Sequence, residues 1–268
     1  MDLISVILPV YNCEHTIEKA IDSIINQTYT NWELVICDDC STDGTLKILN
    51  KYRDLYPHKI VILKNDKNMM IAKTLNKCLQ HVKGDYIARM DGDDVSLPCR
   101  LEKELNFLKN NPDKMVVDCS MIIFDENGNR GLRKGGGTKK NEFNSYFFNH
   151  PTIMARKEMY KELNGYSEDS RITRCEDVDL WFRFTSLGMV GGTIEEPLYM
   201  YKESKSDYKK RTFKKGLDCA VVIIRGCKLL GTPKWKYVYL TKPIIGTLIP
   251  TSIMRLYHYV KDNLIRRR

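Results

Sequence analysis

Short apolar runs that end in polar clusters alternate with segments of helical periodicity through residues 3–110, and few folds accept that pattern. Leu3 to Val10 reads as a first buried strand, and Ile17, Ala20, Ile21, Ile24 and Ile25 then recur at helical spacing. Trp32 to Cys37 reads as a second strand. Ser41 or Thr42 is positioned to cap a helix running from about Thr42 to Arg53. Ile60 to Leu63 reads as a third strand. Ile71, Leu75, Leu79 and Val82 share one face of the next helix, with Lys83-Gly84 as its stop. Tyr86 to Met90 reads as a fourth strand, and Pro98 opens a helix with Leu101, Leu105 and Leu108 inward. The expected class is α/β, with a Rossmann-like, mainly parallel sheet flanked by helices.

In such sheets ligands gather at the carboxyl ends of the strands. Tyr11-Asn12, Asp38-Asp39 and Asp91-Gly-Asp93-Asp94 all fall there. Three carboxylates within four residues repel one another unless a cation or hydrogen-bond donors offset the charge. Mg²⁺ or Mn²⁺ carrying nucleotide phosphates is the natural occupant. A plain polar turn is the competing reading, because Asp and Gly favour turns in any case.

Beyond residue 115 the pattern loosens. Met115 to Phe124 reads as a strand, and 126–141, with Gly135-Gly136-Gly137, as a mobile loop. Met154 to Leu163 and Cys175 to Leu187 read as helices, and Leu198 to Tyr201 as a short closing strand. The expected division is a catalytic unit over residues 1–200 and a basic, mostly helical segment over 201–268. The net charge of +9 lies entirely in that segment. Residues 200–268 carry 17 Lys and Arg against 4 Asp and Glu, and the rest of the chain carries 26 against 30. A basic tail suits an anionic partner. Within it, Pro243 to Val260 mixes Ile244, Ile245, Leu248, Ile249, Ile253, Met254, Leu256 and Tyr257, is broken by Pro250, and is followed by Arg266-Arg267-Arg268. It is too polar for a span. It reads either as an interfacial element on anionic lipid or as a helix packed on the main unit. No nucleic-acid module is apparent, so nucleic acid is not an expected partner.

The nine cysteines are odd in number and mostly lie in apolar runs, and no secretory leader precedes them. They read as reduced thiols in a cytosolic protein. Cys37-Asp-Asp-Cys40 has C-x-x-C spacing, but no second pair or neighbouring His completes a zinc set.

Four motifs stand in order: Ser5-Val-Ile-Leu-Pro-Val-Tyr-Asn12, Asp38-Asp-Cys-Ser-Thr-Asp-Gly44-Thr45, Asp91-Gly-Asp-Asp-Val-Ser-Leu-Pro98-Cys-Arg100-Leu101 and Glu176-Asp177-Val-Asp-Leu-Trp181. Together they resemble the family 2 inverting glycosyltransferases of GT-A fold, of the kind found in bacterial surface polysaccharide assembly, over about residues 3–200. The resemblance implies transfer of a hexose or N-acetylhexosamine from a UDP-sugar, with Mn²⁺ or Mg²⁺, to a glycan or lipid-linked acceptor at the cytoplasmic face of the membrane. It assigns donor binding to Pro9, Tyr11, Asn12, Asp39, Asn68 and Asp91, the metal to Asp93 and the catalytic base to Asp177. Tyr11 offers an aromatic surface to a base, and Asp39 a hydrogen-bond acceptor to the N3–H of uracil. Arg89 faces phosphate or counters the carboxylates beside it. His150, Glu176 and Trp181 fall on the acceptor side, with a structural histidine and ordinary helix-start acids as the alternatives. One departure stands out. Related sequences carry Gly two residues after the Asn of an Asn-x-Gly segment, whereas this chain has Asn68-Met69-Met70. Two rival functions remain. A sugar-nucleotidyl transferase needs a glycine-rich loop where Tyr11-Asn12-Cys13-Glu14 stands, and an inactive nucleotide-binding scaffold predicts losses at Asp93 or Asp177, both present.

Overall fold

A computed structural model describes residues 1–137, 139–172, 175–203 and 212–250, together with 252–254, 257 and 260. The N-terminal half alternates β1 (Ile4–Val10), α1 (Ile17–Ile25), β2 (Trp32–Asp38), α2 (Thr45–Leu55), β3 (Ile60–Lys64), α3 (Met70–Leu79) and β4 (Tyr86–Arg89). β1 pairs in parallel with β2 and β4, and β2 with β3. Alternate side chains of β1 serve opposite faces. Val6 and Leu8 join α1 and α4 (Arg100–Asn110) in one core, while Ile7 joins α3 in the other. Each fully buried aliphatic side chain stabilises this two-faced packing by about 1.5–3 kcal/mol.

The remaining strands are β5 (Val95–Ser96), β6 (Val116–Asp125), β7 (Gly128–Arg133), β8 (Met154–Arg156) and β9 (Gly191–Lys202). The sheet order is β3-β2-β1-β4-β8-β6-β9-β5, with β7 paired to β6. β8 runs antiparallel to β4 and β6, while β9 runs parallel to β6. The later helices are α5 (Lys157–Glu162), α6 (Glu176–Ser186), α7 (Phe213–Leu229) and α8 (Thr241–Leu248).

Several local expectations are corrected. The expected helix from Met154 begins as β8, because Met154 and Ala155 complete the sheet beside Ala88 and Ile87. The segment 126–141 is partly a hairpin, since β7 pairs with β6. Its glycines are held in place: Gly136 N–H donates to Asp118 Oδ2 at 2.9 Å and Gly137 N–H to Thr193 Oγ1 at 2.9 Å. α3 ends at Leu79, before Lys83-Gly84. Gly84 instead lets two backbones meet, because a Cβ there would lie 2.4 Å from the Leu3 carbonyl oxygen.

α7 packs on α6, where Gly226 lies against the Phe182 ring with no room for a Cβ. α8 has no buried residue and stops before Pro250. No described helix is long and apolar enough to cross a membrane. Leu256 and Arg266 to Arg268 lie outside the described residues.

Candidate active site

The carboxyl ends of β3, β2, β1 and β4 open onto one cleft of about 870 Å³. It brings together Pro9 near the end of β1, Tyr11 and Asn12 after it, Asp39 after β2, Asn68 before α3, Asp91 and Asp93 after β4, and Glu176 and Asp177 at the start of α6. Sequence reading also missed lining residues: Met70, Thr74 and Lys202 face the same space. Met70 could have been found from its departure from Asn-x-Gly. Lys202 had no local signal, because β9 was expected to end before it.

The β1 exit is fixed by hydrogen bonds to the next turn. Asn12 takes a φ of +51°, a left-handed conformation that Asn tolerates better than most residues. Its N–H donates to Ser41 Oγ at 2.9 Å, and its Oδ1 accepts from Thr42 N–H at 2.9 Å. Ser41 and Thr42 therefore tie two loops together and do not cap α2. The N-cap of α2 is Gly44, whose N–H donates to Glu14 Oε2 at 2.6 Å.

Asp39 is 5% exposed and serves as a clamp. Its Oδ1 accepts from Asn65 Nδ2 at 2.8 Å and from Met69 N–H at 2.7 Å, and its Oδ2 accepts from Met70 N–H at 3.0 Å. A carboxylate at the start of α3 complements the helix dipole. The capping role and a place in the cleft thus fall on one residue. Asn68 Oδ1 also accepts from Met70 N–H, at 3.2 Å.

The three carboxylates after β4 have separate environments. Asp91 Oδ1 pairs with Arg89 Nη2 at 2.8 Å. Arg89 is 4% exposed and does not line the cleft, so it supports Asp91 from beneath and has no surface for phosphate. Asp94 is buried, accepting from Tyr199 Oη–H at 2.9 Å and from Lys202 N–H at 2.8 Å. Burial, then Asp91 and Asp93, push the Asp94 carboxyl well above the usual range. Asp93 is exposed at the cleft. Among the described residues no cluster of three His, Cys, Asp or Glu side chains could enclose a metal ion. The fit is to an ion held by one or two carboxylates and otherwise by ligand phosphates, the usual arrangement for Mg²⁺.

Glu176 and Asp177 open α6, where Val178 N–H donates to Asp177 Oδ1 at 2.8 Å. Burial raises the Asp177 carboxyl despite that bond and despite Arg89. Burial and the neighbouring Asp177 push Glu176 up to about 7. Cys13, also in the cleft, is pushed up to about 11 by burial, which leaves it a protonated thiol at neutral pH.

Two acceptor-side candidates lie in the core. Trp181 is 1% exposed and packs on Phe148, with ring centroids 4.5 Å apart, because it sits on the inner face of α6. His150 is 5% exposed, and its Nε2 lies 3.1 Å from Tyr166 Oη. Burial, then Arg89, hold its ring well below the usual histidine range, so it is neutral. Neither lines the cleft.

The family model for Glycosyl transferase family 2 matches residues 5–180. The chain belongs to that family. EpsE of Bacillus subtilis (strain 168), named as a glycosyltransferase, is 42% identical over 265 residues, covering 95% of this chain and 92% of EpsE. WfaP of Escherichia coli is named as a UDP-Glc:alpha-D-GlcNAc-diphosphoundecaprenol beta-1,3-glucosyltransferase. It is 38% identical over 109 residues, 41% of this chain and 42% of its own length. S. aureus TarS 1–349, solved in complex with UDP-GlcNAc, superposes with a TM-score of 0.68 at 20% identity, covering 92% of this chain and 71% of TarS. This likeness shows the GT-A fold.

Proposed function

We propose that this glycosyltransferase moves a hexose or N-acetylhexosamine from a UDP-sugar to a hydroxyl of a glycan or lipid-linked acceptor, with inversion. The observation that carries the reading is one cleft lined together by Asp39, Tyr11, Asp91, Asp93 and Asp177. The UDP-GlcNAc bound by TarS and the lipid diphosphate in the name of WfaP support the donor and acceptor classes. Asp177 takes the proton of the acceptor hydroxyl as its oxygen bonds to the anomeric carbon and the bond to the diphosphate breaks. Inversion follows from attack opposite the leaving group. A divalent ion held by Asp93, with Asp91 beside it, would supply positive charge to the departing nucleoside diphosphate. Asp91 is itself kept in position by Arg89.

Calorimetric titration of UDP with and without Mn²⁺, with GDP and TDP as controls, tests the donor site. Metal-dependent UDP binding is expected, weakened at least about tenfold in Asp93→Ala, the loss of one charged contact. Unchanged binding by that variant would remove Asp93 from the metal site. Binding of GDP or TDP alone would keep the fold and change the donor. Absence of all binding and of UDP release would put the inactive scaffold first.

The reading places catalysis in residues 1–200 and an attachment role in 201–268. Large apolar side chains are exposed along the C-terminal helices, among them Trp235 at 68% and Leu248 at 68%. Lys236 Nζ lies 5.7 Å from the Trp235 ring centroid. Exposed aromatics beside lysines suit an anionic bilayer surface at the inner membrane face. Removal of residues 243–268, which takes away Leu248 and leaves Trp235 in place, is expected to weaken co-sedimentation with phosphatidylglycerol vesicles. Undiminished sedimentation would sink the attachment role.

A further inference from the structure

Met70 shares a left-handed backbone with Asn12 in the cleft, but it lacks the short polar side chain that lets Asn tolerate that region. Its φ is +68°, a region that costs any residue with a Cβ and that Gly occupies freely. The conformation is imposed from outside. Asp39 accepts from Met69 N–H and Met70 N–H, and Asn68 Oδ1 takes Met70 N–H as well. Strain of this kind persists only where the surroundings over-determine it, and it gathers at ligand sites. The side chain that results is 41% exposed and turned to the cleft, as is Tyr11 at 46%.

The sheet order fixes which end of the cleft this is. β3 and β2 lie on the far side of β1 from β4. Met70 and Asp39 are therefore at the opposite end from Asp91 and Asp93. A nucleotide whose phosphates lie toward the Asp93 end brings its base to Asp39, Tyr11 and Met70. A phenol ring and a polarizable thioether are both suited to cover the face or edge of a flat heterocycle.

We infer that Met70 determines nucleotide specificity. Its side chain and the Tyr11 ring wall the base site that Asp39 reads, and Met70 narrows that site to a single-ring base. This inference rests on the nucleotide-sugar reading above. It concerns a residue where this chain departs from the Asn-x-Gly pattern.

The test is calorimetric titration of UDP and of GDP, each with Mn²⁺, into the full-length protein and three variants. Met70→Gly and Met70→Asn both tolerate the backbone conformation and remove the thioether, so they separate side chain from strain. Met70→Leu keeps apolar bulk. The Gly and Asn variants are expected to melt at or above the wild-type temperature. Their UDP affinity falls about 5- to 20-fold and their preference for UDP over GDP narrows at least about tenfold, the scale of a lost apolar pocket contact. Met70→Leu stays within about threefold of wild type for UDP. Tight UDP binding by the Gly and Asn variants with an unchanged preference overturns the role of Met70 and leaves the donor reading standing. A wild-type protein that binds neither nucleotide overturns both.

Discussion

Asp177→Asn is expected to lose glycosyl transfer by about 10²- to 10⁴-fold, the range set by removal of a positioned general base. The exchange is nearly isosteric, so the start of α6 stays intact. Asn cannot accept the acceptor proton at any accessible pH. UDP affinity is expected to stay within about threefold of wild type, because the residue acts on the acceptor hydroxyl and a transition-state contact lowers turnover without loosening the ground state. Turnover equal to wild type would sink the assignment. The pH profile gives a second reading of the same site. Burial raises Asp177, and burial with Asp177 as neighbour raises Glu176 to about 7. A base must be ionised to act, so wild-type transfer should decline toward acid pH, with a midpoint above the ordinary carboxylate range. Stability runs the other way. The folded state keeps the Glu176 proton between the ordinary value of 4.5 and about 7, where the unfolded chain has released it. That contribution is complete below about 4.5 and lost as the pH rises through about 7. Glu104, also raised to about 7 by burial, adds to the same slope. The active form is thus the form that carries the greater charge strain.

The alternation of strand and helix was legible because β1, β2 and β4 are almost wholly buried and their helices carry clean apolar stripes. Val6, Leu8 and Ile7 announce a strand covered on both faces, and Ile17, Ala20, Ile21 and Ile24 a helix against one of them. Asp39, Asp91 and Asp93 were legible as a set because a parallel sheet gathers its strand ends along one edge, whereas Asp177 was legible only through the motif that opens α6. Other features depended on contacts that no local pattern encodes. β8 is a strand because it completes the sheet between β4 and β6, although Met154-Ala-Arg156 has no period of its own. Trp181 and His150 read as site residues by proximity in sequence. Trp181 lies one turn beyond Asp177 on the same side of α6, where the helix has entered the core and the ring packs in the Phe148 and Phe184 cluster, and His150 is covered by Tyr166. The division of labour within Asp91 to Asp94 depended on Arg89, Tyr199 and Lys202. Two of these stand more than 100 residues away in the chain.

Arg89→Leu should cause the largest loss of stability of any single exchange near the cleft. The guanidinium is 4% exposed and its Nη2 holds Asp91 at 2.8 Å. It is also the cation whose field lowers the Glu176 and Asp177 carboxyls. Leu removes the charge and leaves three carboxylates without it. Breaking a buried pair by deleting one partner costs about 3–5 kcal/mol. The Asp91 side chain is 25% exposed, so water recovers part of that, and the lower end applies, about 3 kcal/mol. For a chain of this size the melting temperature should fall by roughly 6–12 °C. Glu176 and Asp177 titrate higher once the cation is gone, so the acid limb of transfer moves to higher pH. Arg89→Lys keeps the charge but not the flat fork, and should lie between the two. The decisive variant is the double exchange Arg89→Leu with Asp91→Asn. It removes the unpaired charge along with its partner, so it should recover much of the melting temperature while transfer stays lost. Recovery of both would make Arg89 and Asp91 a packing pair alone. Recovery of neither would show that the Arg89 side chain holds the floor of the cleft through its contacts, independent of charge.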